Sequence, residues 1–123
     1  MSKVIVKAKD LRAATKYITI GGVRLKMLFN NYAYYLAEDI YDREFGRDVG
    51  FEAILADASA GKIRAMLALV YATIKAAGNE EKIGTFQYFM ENFELEDMKS
   101  ISADVIEGIS ETLPDVEDEG KNV

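Results

Sequence analysis

A mainly helical fold, a small domain of four to five helices with a short N-terminal β-hairpin, follows from three features of this 123-residue sequence. The first is the stretch Gly61 to Gly78, in which Ile63, Met66, Leu67, Val70, Tyr71 and Ile74 keep the i, i+3, i+4, i+7 rhythm of one helix face. Alanines fill much of its remainder, so this helix is expected to be covered on more than one side. The second is a pair of alternating runs, Tyr17-Ile18-Thr19-Ile20 and Val23-Arg24-Leu25-Lys26, joined by Gly21-Gly22. Both central residues of a tight hairpin turn need positive φ, which glycine adopts without steric strain. The third is the recurrence of helical apolar spacing in the other segments, with a single proline, Pro114, near the end.

Before the hairpin, Lys3-Val4-Ile5-Val6-Lys7 reads as a strand or an N-terminal arm, and residues 8–15 as a connection or a single helical turn. Residues 1–16 are therefore set apart from the domain proper, which spans 17–113. Asn30 or Asn31 can cap the first helix, because a short side-chain oxygen there accepts a free backbone N–H. Phe29, Tyr32, Leu36 and Ile40 share its apolar face beside Ala33 and Ala37, and Gly46 after Phe45 marks its end. A short helix over Val49 to Ala58 presents Phe51, Ile54, Leu55 and Ala58, with Asp48 as a possible cap. Ser59-Ala60-Gly61 then turns the chain into the central helix, which Gly78-Asn79 stops. Thr85 can cap the next helix, and Asp97 or Ser102 opens a last one facing inward through Ile101, Val105, Ile109 and Leu113. Residues 114–123 are highly charged and poor in apolar groups, and are expected to be a disordered acidic tail.

A chain of this length buries roughly two-thirds of its unfolded surface, enough for one core. It contains neither cysteine nor histidine. Disulfides, thiolate chemistry, the usual zinc sites and histidine-based acid or base catalysis are thereby excluded. No cofactor is expected. Lys62, Arg64 and Lys75 interrupt the most apolar window, so no membrane span is expected, and the N-terminus lacks the apolar run of a secretory leader. Net charge is −6, but the ends differ: residues 1–26 carry seven basic side chains against Asp10, and residues 91–123 carry eleven acids against Lys99 and Lys121. Two solvated surfaces account for this; so do ends that bring subunits or partners together head to tail. The acidic total argues against nucleic-acid binding.

Two aromatic groups are candidates for partner binding. Tyr34, Tyr35 and Tyr41 fall off the main stripe of the first helix, and tyrosine suits a position with one dry side and one wet hydroxyl. Phe86, Phe89, Met90 and Phe93 form the most aromatic helical face of the chain, which serves as core or as a ridge for a partner helix.

Catalysis without histidine or cysteine would need paired carboxylates with separated pKa values. Glu38-Asp39, Asp42 with Glu44, and Glu94 with Glu96-Asp97 are the available clusters, each where a helix surface or end ordinarily carries charge. None has calcium-loop or di-metal spacing. Gly61-Lys62 is no nucleotide loop, since Ala56 stands where the earlier glycine belongs and Ile63 where Ser or Thr follows. No catalytic or metal-binding residue is predicted.

The order of features resembles one family. A glycine-turn hairpin (Ile20-Gly21-Gly22-Val23-Arg24-Leu25) is followed by an amphipathic helix running from Phe29-Asn30-Asn31 to Phe45-Gly46. A short helix, the segment Met66-Leu67-Ala68-Leu69-Val70-Tyr71-Ala72 and an acidic C-terminus complete the series. This layout, over residues 17–113, resembles the tail assembly chaperones of long-tailed (siphovirus-type) phages and prophages of Gram-positive bacteria. That family often has Gly-Leu where this chain has Thr73-Ile74. The resemblance implies a non-enzymatic protein of the bacterial host cytoplasm, absent from the mature virion. Its expected partners are the tape-measure protein, which it would keep soluble, and tail-tube subunits, with a homo-oligomer possible. It also implies that a frameshifted longer product can exist. The competing expectations are a structural tail or head-completion component, an acidic DNA mimic, and a small carboxylate enzyme.

Overall fold

The computed structural model describes residues 14–112. A two-stranded antiparallel sheet, β1 (Ala14–Ile20) and β2 (Val23–Phe29), is followed by six helices. They are α1 (Asn31–Phe45), α2 (Phe51–Ser59), α3 (Ile63–Ala76), α4 (Glu80–Ile83), α5 (Phe86–Asn92) and α6 (Leu95–Thr112). The mainly helical class with an N-terminal hairpin is thus as expected, and the helix beyond the expected range is α4, a single turn in the charged Glu80-Glu81-Lys82 segment. The expected arm at Lys3–Lys7, the acidic tail at 114–123 and the inward contact of Leu113 lie outside the described residues.

Gly21 and Gly22 both have positive φ, 56° and 82°, as the turn between alternating strands requires. The register pairs Ile20 with Val23 and Ala14 with Phe29, so the strands are three residues longer at their open end than the alternation alone suggests. Ile18, Leu25, Met27 and Phe29 point inward and are buried, whereas Thr15, Tyr17, Thr19, Arg24 and Lys26 face out. Arg24 lies over the Tyr17 ring on that outer face, 4.3 Å from its centroid.

Helix α3 is the hub: residues 65 to 74 are all buried, because β2, α1, α2, α5 and α6 all pack against it. Its alanine content makes this possible by letting neighbours approach from several sides. Asn30 caps α1, its Oδ1 accepting the Ala33 N–H at 2.9 Å, and Gly46 closes the helix in the left-handed conformation. Helix α2 begins later than expected and without Asp48. Gly50 occupies the N-cap, and the Phe51 N–H donates across to Glu38 Oε2 at 2.8 Å. Thr85 caps α5 through the Tyr88 N–H. Helix α6 starts at Leu95 and buries Ile101, Val105 and Ile109 as the spacing predicts.

Candidate functional site

Both predicted aromatic groups turn inward, which corrects most of the expected binding surface. Tyr34 and Tyr41 are buried, with Tyr41 fully so, and only Tyr35 of that group is exposed, at 62%. Tyr32, assigned by spacing to the core face, is 53% exposed. The reason is that α1 packs against both α3 and α2, which widens its buried arc and shifts it away from Tyr32. Tyr34 stacks on Phe51 of α2, with ring centroids 4.2 Å apart, and its hydroxyl pairs with Thr112 Oγ1 of α6. Burial raises the Tyr34 pKa, against the opposing effect of that hydrogen bond.

Phe86 and Phe89 are likewise buried, while Met90 and Phe93 are partly covered and lean on the core. The two groups meet inside the molecule. Edge and stacking contacts run from Tyr41 to Phe45, Phe86, Tyr71, Phe89 and Phe93, with successive centroids 4.8 to 6.0 Å apart. This aromatic chain joins α1, α3 and α5, so it is cohesion rather than a surface.

Two of the candidate carboxylates are engaged in the fold. Asp39 pairs with Arg43 one turn along α1, and Glu38 holds the start of α2. Asp57, which the spacing did not single out, has the most partners. Its carboxylate accepts from Tyr41 Oη at 3.0 Å and lies 3.4 to 3.8 Å from Arg47, Lys62 and Arg64. Burial alone would raise its pKa, but the Tyr41 hydrogen bond and the three cations prevail and hold it below the ordinary carboxylate value. A general acid near neutral pH needs the opposite shift. Among the described residues no group of three or more acidic, histidine or cysteine side chains could hold a metal ion, and no helix is long and apolar enough to cross a membrane.

The surface feature with binding character is elsewhere. An open groove of about 740 Å³ separates α6 from the corner between α2 and α3. Ala58, Ser59, Gly61 and Met66 line one side; Met98, Lys99, Ser102, Ala103, Ile106 and Glu107 line the other. It exists because α6 leans on the hairpin more than on α3. Lys16 of β1 reaches Glu107 at 3.1 Å and Glu111 at 3.2 Å, and those bonds raise its pKa. The stripe Ile101, Val105, Ile109 is buried, and the flank Met98, Ser102, Ile106 one position round lines the gap. A signal for this was in the sequence, a second i, i+4 series on α6. Which series would find a neighbour depends on packing. A smaller cleft of about 120 Å³ lies near the hairpin turn, where Ile20, Val23 and Lys82 meet Tyr88, Phe89 and Phe93. Of the predicted partner residues, then, Tyr35 stands free, and Phe89 and Phe93 reach this cleft.

Compared with known protein families, curated proteins and solved structures, the chain has no match.

Proposed function

We propose that this protein is a non-enzymatic binding protein and that it acts as a tail assembly chaperone of a long-tailed phage or prophage. In this role it binds the helical tape-measure protein, keeps that client soluble in the bacterial cytoplasm and recruits tail-tube subunits, and it is left out of the finished particle. The single observation that supports the binding reading is the open, methionine-lined groove between α6 and the α2–α3 corner. Its adaptable side chains and apolar floor suit a helical client with varied apolar residues. The charged outer surface suits a protein that must remain dispersed while bound. The phage assignment itself rests on the layout of residues 17–113.

The test is co-expression with the longest helical open frame encoded shortly downstream, with affinity purification and a solubility assay. The expected result is a client that co-purifies with several copies of this protein and precipitates without it. A client that ignores the protein, together with its detection by mass spectrometry in purified particles, would instead establish the structural component.

A further inference from the structure

We infer that the groove takes one amphipathic helix of a partner protein, held by its apolar stripe, with an acidic residue against Lys99 and a basic residue about two turns away against Glu107. The inference rests on the binding reading above and adds the chemistry of what is bound. Among the described residues the walls are helices and the turn between α2 and α3, with no strand edge along them, so an extended segment would find no backbone ladder to join there. Ala58 and Gly61 keep one side low, which lets a helix backbone approach closely. Met66 and Met98 flank it with flexible, polarizable side chains that conform to different apolar residues.

The two charges set the partner's pattern. Lys99 and Glu107 both line the groove from α6, eight positions apart, which at the helical rise is about 12 Å. Glu107 already meets Lys16, yet its side chain is 61% exposed and has room for a second cation. A partner helix carrying one acid and one base roughly eight residues apart on the edge of its apolar stripe satisfies both ends. A stripe flanked by charges of one sign is repelled at one of them.

The experiment uses the full-length protein and labelled helix-biased peptides of about 18 residues, measured by fluorescence anisotropy. The peptides share one Leu/Met stripe and carry Glu and Lys, Lys and Lys, or Glu and Glu at flanking positions eight apart. The Glu/Lys peptide is expected to bind about tenfold more tightly than either other, and Lys99→Glu should transfer the preference to the Lys/Lys peptide. Ile106→Glu should abolish binding while leaving thermal unfolding unchanged. Equal binding of all three peptides, or none, overturns the proposal. So does a concentration-dependent dimer that Ile106→Glu dissociates, since the groove is then filled by a second copy. The peptides contain no phage sequence. Their failure therefore leaves the co-expression result standing, and a client that ignores the protein leaves the peptide result standing.

Discussion

The Phe29 ring lies against the backbone of Gly108, so that a Cβ at Gly108 would stand 2.6 Å from Phe29 Cε1. Phe29 is fully buried at the end of β2, so its ring can yield only by disturbing the core around it. Helix α6 reaches the hairpin only because residue 108 has no side chain. Gly108→Ala adds helix propensity of up to about 1 kcal/mol but forces the helix off the sheet, for a net loss of about 1–2 kcal/mol. Urea unfolding should show a lower midpoint, and adding Phe29→Leu should recover part of it. Additive losses in the double variant would sink this account.

Buried and exposed tyrosines separate cohesion from surface. Tyr41→Ala and Phe86→Ala remove links of the internal aromatic chain and should each lower stability by about 3–5 kcal/mol. Tyr35→Ala should stay within about 0.5 kcal/mol of the parent. Thermal melts of the three variants decide the matter; an unstable Tyr35→Ala protein contradicts it.

Asp57 should shape the acid limb of stability. Its folded pKa is depressed, so its contribution is fully present above the ordinary carboxylate value and is lost as pH falls through the folded value. Asp57→Asn removes that contribution and leaves Arg47, Lys62 and Arg64 without their common counter-charge. The variant is expected to be less stable than the parent at pH 7, with the difference shrinking as the pH is taken well below 4. A difference unchanged between the two conditions would show that the carboxylate's charge is not what matters.

Tyr71 sets the alkaline limb. Burial, then the charge and hydrogen bond of Glu80, push its pKa up to about 12, and its hydroxyl donates to the Gly84 carbonyl at 2.6 Å. A raised folded pKa means a contribution intact below the ordinary value of 10.0 and lost as pH climbs through about 12. Tyr71→Phe should lose about 0.5–1.5 kcal/mol at neutral pH and show a shallower decline above pH 10. Parallel alkaline curves for the two proteins would count against this assignment.

Local rules of the chain determined its elements. Alternation around Gly21-Gly22 specifies a hairpin, since the turn needs positive φ twice. The stripe of α3 and the caps at Asn30 and Thr85 are likewise local, each set by neighbours within a few positions. The absence of cysteine and histidine is also a property of composition alone. What tertiary structure decided is which face of each helix meets a neighbour. Tyr34 and Tyr41 read as off-stripe until α2 is placed beside α1, and Tyr32 reads as core until the same helix shifts the buried arc away from it. The need for glycine at position 108 likewise arises only when Phe29 is brought against it from about eighty positions earlier in the chain. Asp57 gathers cations from either side only when α2 and α3 fold into a corner. The groove belongs to this second kind as well: α6 carries a second i, i+4 series, Met98, Ser102 and Ile106, beside its apolar stripe, and the packing of Gly108 on Phe29 sets which of the two is covered. Helical periodicity records which residues share a face, whereas long-range packing chooses whether that face is covered.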